Sequence, residues 1–373
     1  MVSVKKVTTS NEMRDFIDFP HQLYKNDACY VPELFIAQRD LLDAKKHPFF
    51  KHSKLDLFLA VKDSVVVGRI AAIRNNNHIE YTKAKDGFFG FFDVINEYEV
   101  AEKLFDTASA WIKKEGLTSV IGPVNFSTNE TCGLLVDSFN LPPVVMMTYN
   151  KSYYPEYVEK YGFKKKTDLI AYHLNTNELS TRTVELVNKL EDRLKLKGIT
   201  VRTVKMKDFK KEVDKIKTVY NSAWDKNWGF VPMTDEEFDF MAKDMKMILD
   251  PDFCYIAEHN GKAVGFSLSI PDMNQIFITI KKGRLLPTGI FKLLMNKGKI
   301  NKVRVITLGV VEGYRKMGIE ACFYARNIIT AKKKKILTAE ASWILEHNQP
   351  MNKAMLNIKA EPYKKYRMYE LAL

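Results

Sequence analysis

The chain has 373 residues, 46 % of them hydrophobic, and a formal net charge of +13, which suits two domains with a core each and favours anionic ligands. Cys29, Cys132, Cys254 and Cys322 and the seven histidines fall in no paired or metal-ligand spacing, which argues against a zinc module or disulfide framework and makes a reducing cytoplasm the default setting without a metal. No run approaches the about 18 apolar residues of a transmembrane helix, and no zinc finger, RNA-binding sheet signature or arginine-rich arm marks a nucleic-acid module.

In the first half, apolar stretches around Leu59-Ala60 and Val67-Gly68 to Ile73 flank Lys62-Asp63-Ser64 and predict a β-hairpin. Residues 87–93, Gly-Phe-Phe-Gly-Phe-Phe-Asp, precede a helix that opens with Glu97, Glu99 and Glu102. Carboxylates there already satisfy the helix dipole and repel an added anion. The polar, turn-rich run 122–128 between apolar segments reads either as a functional surface or as an ordinary turn. Residues 157–163 followed by 169–172 read as helix and strand. A boundary is expected near residues 174–200, where Asn175-Thr176-Asn177 precedes an amphipathic helix with Val184, Val187, Leu190 and Leu194 at helical spacing, ending at Gly198. The expected parts are residues 1–175, a connecting helix 176–198, and residues 199–373.

In the second half, Trp224-Asp225-Lys226-Asn227-Trp228-Gly229-Phe230 is dense in aromatics, and Phe238, Met241, Met245 and Leu249 predict the buried stripe of the next helix. Ile256-Ala257 and Val264-Gly265 to Ile270 around His259-Asn260-Gly261 predict a second hairpin. No acidic residue lies between Asp272 and Glu312, while Lys281, Lys282, Arg284, Lys292, Lys297, Lys299, Lys302 and Arg304 accumulate. Within that stretch, residues 285–297 read as a lid over an acyl chain, a peripheral membrane-surface helix, or an insertion packed on the core with solvated lysines. Residues 303–311 then form a strand, 312–318 a basic glycine-containing turn, and 319–335 a helix. The first turn of a helix leaves N–H groups unpaired and carries the positive end of the dipole, so this turn suits a phosphate, with Arg315 and Lys316 adding charge and Gly318 lacking a Cβ. A strand at 336–343, a helix at 348–358 capped by Asn348, a turn at 359–362 and a strand at 363–371 complete the chain.

The chain also repeats itself: Ala60 and Gly68 correspond to Ala257 and Gly265, each 197 positions on, and residues 157–163 correspond to 354–360. The Arg315-x-x-Gly318 turn between strand and helix, the strand–Asn348–helix block after it, and the Tyr157-Val-Glu-Lys-Tyr-Gly-Phe163 helix end resemble the GNAT superfamily of acyl-CoA-dependent N-acyltransferases. The resemblance implies an α/β protein of two tandem GNAT-like domains, the first degenerate. It implies acetyl-CoA or another acyl-CoA as co-substrate, held at Leu308, Val310, Arg315, Lys316, Met317, Gly318, Ile319 and Asn348. It departs from the family at Glu320, where Gly or Ala is usual, and at Met355 and Val158, where the general-acid tyrosine would fall. Candidates for proton transfer are Glu340, Glu346 or His347, with Tyr363 or Tyr366 standing in for that tyrosine. Trp224, Trp228 and Phe230 are expected to border the acceptor, with Asp225 attracting its amine. The acceptor is a small-molecule or peptide amine. An aminoacyl-tRNA-dependent transferase and a non-catalytic anion-binding pair are the alternatives. Oligomeric state is not legible.

Overall fold

A computed structural model describes residues 1–176, 182–224 and 227–373, the side chains of 182–186 excepted. Asn177, the Val184 side chain and Asp225 lie outside the described residues. The strands are β1 (Val2–Lys6), β2 (Lys54–Lys62), β3 (Val65–Arg74), β4 (Asp86–Val94), β5 (Ser119–Gly122), β6 (Leu134–Leu135), β7 (Lys164–Asn175), β8 (Ile199–Thr203), β9 (Cys254–His259), β10 (Lys262–Pro271), β11 (Lys302–Val310), β12 (Thr338–Leu345) and β13 (Glu361–Ala372). The helices are α1 (Ser10–Leu23), α2 (Phe35–Leu41), α3 (Asn76–Thr82), α4 (Tyr98–Lys114), α5 (Tyr154–Tyr161), α6 (Arg182–Leu196), α7 (Phe209–Ala223), α8 (Asp235–Ile248), α9 (Asn274–Phe277), α10 (Gly289–Asn296), α11 (Ile319–Lys333) and α12 (Gln349–Asn357).

Two compact units result. Unit 1 gathers Met1–Ile170, Asn274–Lys297 and Lys364–Leu373; unit 2 gathers Ala171–Met273 and Gly298–Tyr363. The linear division into 1–175, 176–198 and 199–373 follows the sequence repeat, and the folded units exchange segments across it. In unit 1 the strands run β1-β2-β3-β4-β5-β13, antiparallel except for β4 and β5. In unit 2 they run β8-β9-β10-β11-β12, antiparallel except for β11 and β12.

The repeat seen in sequence recurs in register. Ala60 pairs with Gly68 across β2/β3, and Ala257 with Gly265 across β9/β10. Both hairpin turns place two residues at positive φ, Asp63 and Ser64 in one and Asn260 and Gly261 in the other, which matches the twist of the flanking strands. The third strands also end at one level, Val94 opposite Gly68 and Val310 opposite Gly265.

Unit 1 is built on aromatics: Phe89, Phe92, Phe105 and Phe163 pack with Leu104 and Ala108 of α4. In unit 2, α11 sends Cys322, Phe323 and Ala325 into a core with Tyr255, Ala257, Val187 and Leu194, while α7 packs Val219 and Ala223 with Ile256 and Phe266. The expected connecting helix is thus a working layer of unit 2. Its Glu191 takes both Arg326 Nε and Nη2 at 2.6 Å, a paired geometry that fixes α6 on α11.

Candidate functional site

β11 and β12 pair in parallel from Lys302 opposite Thr338 to Val305 opposite Ala341. There the pairing stops, although β11 runs on to Val310 and β12 to Leu345. On its other edge β11 stays paired with β10, through an irregularity that leaves Ile306 between the pairs Leu268–Thr307 and Ser269–Val305. Such a bulge bends a strand and raises its twist, so β11 turns away from β12 and a wedge opens between them. One wall of the wedge is the backbone edge of residues 306–310, whose peptide groups can pair with an extended ligand as a further strand would. The Leu308 and Val310 side chains belong to the α11 core, so these two residues offer the wedge their backbone alone.

Gly309 matters for what lies against it. A Cβ there would sit 2.2 Å from the Trp224 ring, so only glycine lets the indole rest on the strand. Trp224 in turn packs on Phe266 and Tyr220, with ring centroids 5.6 and 5.1 Å away. Phe230 is buried and reaches this group through Tyr220 at 5.8 Å. Trp228 is half-buried and makes no ring contact with them among the described residues.

β11 leads into the turn 311–318. Gly313, Lys316 and Gly318 all take positive φ, and Gly318 forms the N-cap of α11. Among the described residues the backbone N–H groups of residues 315–319 donate to no protein acceptor, leaving a concave set of donors at the positive end of a 15-residue helix. Lys316 is exposed beside them. Arg315, exposed at the same turn, donates from Nε to Val310 O at 3.0 Å and from Nη2 to Ala223 O at 2.7 Å. It staples the C-terminus of α7 to the end of β11 and thereby shapes the turn. Gly318 likewise serves packing, since a Cβ would lie 2.6 Å from Leu190 Cδ1 of α6. Ile319 is fully buried and Met317 packs at the edge of the same core. Glu320 sits half-buried in the first turn of α11, where its charge adds to the burial that pushes the Tyr324 hydroxyl above its ordinary value.

Where the parallel pairing ends, a buried polar cluster lies on the strands. Glu340, only 1 % exposed, accepts a 2.6 Å hydrogen bond from Ser342 Oγ and another from the Tyr363 hydroxyl. Arg304, 2 % exposed and Glu340's register partner, donates to Ser342 Oγ at 3.2 Å and stands 5.1 Å above the Trp343 ring. The His173 ring meets Tyr363 at 5.6 Å. Burial pushes the His173 imidazole below its ordinary value, and the Lys302 charge acts the same way against the opposing pull of Glu340 and Glu361.

The remaining expected residues divide. Asn348 caps α12 as expected, its Oδ1 accepting from Met351 N at 3.3 Å. His347 is exposed in the turn before it and joins no hydrogen bond with Glu340 among the described residues. Met355 is buried at 1 % exposure in the core of unit 2. Tyr366 is fully buried in unit 1, paired with Leu135. Tyr363, three residues earlier on β13, is the tyrosine beside Glu340. Arg304, Ser342 and His173 were missed, yet the strands carried a signal. Arg304 is a charge between Val303 and Val305, and Ser342 follows Glu340 by one strand period.

No family model matches the chain. It is 34 % identical to Protein YghO of Escherichia coli (strain K12), over 98 % of this chain and 94 % of that protein. It is 33 % identical to a bacterial ceramide synthase of Caulobacter vibrioides (strain NA1000 / CB15N), over 100 % of this chain and 98 % of that one. Among solved structures, a tandem GNAT protein from the clavulanic acid biosynthesis pathway superposes with a TM-score of 0.60 at 10 % identity, covering 100 % of this chain and 98 % of that one. The fold is the tandem GNAT fold.

Proposed function

The chain belongs to the family of Protein YghO and the bacterial ceramide synthase, and from that premise we propose that it is an acyl-CoA-dependent N-acyltransferase acting on the amine of a long-chain amino alcohol. A ceramide is a fatty amide of such an alcohol, and the relative's name supports that acceptor class. The observation that carries the reading is the divergence of β11 from β12 past Val305 and Ala341, directly before a turn in which the N–H groups of residues 315–319 have no acceptor among the described residues.

The co-substrate's thioester supplies an activated acyl carbon. The residues 306–310 edge binds its extended arm by peptide hydrogen bonds, and the turn 315–319 with Lys316 binds its phosphates. Arg315 holds the turn in shape and Asn348 holds the start of α12. Glu340 accepts a proton from the attacking amine through the Tyr363 hydroxyl, which passes its own proton to the carboxylate as it takes the incoming one. The nitrogen bonds to the acyl carbon, the carbon–sulfur bond breaks, and the departing sulfur takes a proton from water, the hydroxide left behind recovering the proton that Glu340 received from the amine. His173, whose imidazole burial shifts towards the neutral form, and Arg304 with Ser342 position Glu340 and Tyr363.

The test is calorimetric titration with acetyl-CoA and longer acyl-CoAs, followed by thiol release with a long-chain amino alcohol. Saturable binding and amine-dependent thiol release support the reading. Binding without release makes the chain a binding pair, and no binding at millimolar coenzyme removes the acyl-CoA reading.

A further inference from the structure

Among the described residues, 281–297 of unit 1 carry the largest cluster of exposed large apolar side chains near one point of the sequence. In α10, Phe291, Leu294 and Met295 stand at i, i+3 and i+4 and are 63, 69 and 76 % exposed, so they share one outward face. Leu286, just before the helix, is 78 % exposed.

The segment is held from its inner side. A Cβ on Gly283 would fall 1.8 Å from Glu33 O, so the backbone runs directly against that carbonyl. Arg284 donates to both Asp18 oxygens at 2.9 and 3.0 Å, and its guanidinium stands 3.3 Å over the Phe35 ring. Lys292 Nζ donates to Thr279 O at 2.5 Å, and Gly289 is buried. The apolar face is therefore presented outward by a fixed base.

Its border decides what covers it. Lys281, Lys282 and Lys297 are exposed, and no acidic residue occurs from 273 to 311. Asp18 beside the segment is already taken up by Arg284, and lysines are depleted from protein–protein contacts, whereas a short apolar ridge in a segment with exposed lysines and no carboxylate of its own matches the acyl boundary and headgroups of an anionic lipid surface.

We propose that α10 and Leu286 dock this protein on an anionic membrane surface, with Phe291, Leu294 and Met295 entering the headgroup–acyl boundary and Lys281, Lys282 and Lys297 meeting lipid phosphates. No helix among the described residues is long and apolar enough to cross a membrane, so this is surface attachment. The inference rests on the exposed face and its charge, independently of the N-acyl reading.

The test is co-sedimentation of the full chain with phosphatidylcholine vesicles, with and without phosphatidylglycerol. Binding only to the anionic vesicles, lost by at least about ten-fold in F291S/L294S/M295S and in K281E/K282E/K297E, is the expected result. Equal binding by the triple serine variant, or no binding to anionic vesicles by the parent chain, overturns it. So does light scattering that shows an oligomer abolished by the serine variant in a chain that binds no vesicles. Coenzyme calorimetry on the same variants separates the two readings: unchanged coenzyme binding with lost sedimentation assigns the loss to docking alone.

Discussion

In unit 1, β4 and β5 pair from Asp86 opposite Ser119 to Phe88 opposite Ile121; in unit 2, β11 and β12 pair from Lys302 opposite Thr338 through Arg304 opposite Glu340. Counted from the first pair, Phe88 and Ile121 occupy the levels that Arg304 and Glu340 occupy in the other unit. Past the last pair the contrast continues. Unit 1 fills its wedge with its own chain: Val124 N donates to Phe89 O at 2.8 Å and Phe91 N to Asn125 Oδ1 at 2.9 Å, with Val124 and Phe126 fully buried. Within the run 122–128, which the sequence left open as functional surface or ordinary turn, residues 124–126 act as a plug.

The linkers differ in the same sense. Only residues 95–97 join β4 to α4, and Glu97 at that helix start is paired with Lys62 at 2.7 Å. Residues 311–318 join β11 to α11, and among the described residues the N–H groups of residues 315–319 find no protein acceptor. One fold thus holds two versions of a strand pair, one closed by peptide and one that diverges past Val305 and Ala341. A few residues at the point of divergence separate them.

The strongest way to break that comparison is to convert one version into the other. Arg304→Phe with Glu340→Ile copies the unit 1 pair, and since well-packed apolar replacements of buried charges are often neutral for stability, the fold should survive by circular dichroism while turnover vanishes. Glu340→Gln alone should lower kcat by about 100-fold with calorimetric coenzyme affinity unchanged. Retained turnover in either variant would remove Glu340 from the reaction.

Next in size are the two tight glycines. A Cβ at Gly90 would meet the backbone Val124 O at 2.1 Å, whereas at Gly309 it would meet the Trp224 ring at 2.2 Å. Gly90→Ala should cost about 2 kcal/mol in urea unfolding, with no relief available, because the plug's backbone cannot yield. Gly309→Ala should be partly rescued by Trp224→Ala.

Smaller still, Lys316→Glu should weaken coenzyme binding by about ten-fold, more at low salt, while Glu97→Lys at the matching helix start of unit 1 should leave it unchanged. An effect from Glu97→Lys would mean that unit 1 also holds the anion.

The smallest effect concerns stability against pH in unit 1. Burial, with the charges of Arg69, Arg284 and Lys282, lowers the His21 imidazole to about 4. The unfolded chain then binds the extra proton first, so His21's contribution is complete above its ordinary value and is lost as pH falls from about 6.5 towards 4. Stability should drop on the order of 1 kcal/mol between pH 7 and pH 5.5, and His21→Gln should flatten that slope in urea titrations at the two pH values.

Much of this molecule is legible from its residues. The hairpins follow from alternation and turn chemistry, the α12 start from Asn348, and the doubled fold from the 197-residue spacing, because these depend on neighbours a few positions apart or on a pattern repeated whole. The role of Arg315 was not legible, since its partners are carbonyls, and a carbonyl at Ala223 carries no side-chain mark. Nor was the choice between Tyr363 and Tyr366: an odd separation on a strand puts them on opposite faces, and only the assembled sheet shows which one Glu340 meets. Sequence by itself determined the two hairpins, the strand–turn–helix of 303–335, the block that follows it, and the charge that gathers over 281–304. Tertiary structure alone decided that 274–297 and 364–373 join unit 1, that one strand pair is plugged by its own chain while the other is not, and that Glu340 is buried under Tyr363. Those outcomes depend on long-range packing and on competition between distant segments for the same sheet edge, which local periodicity does not encode.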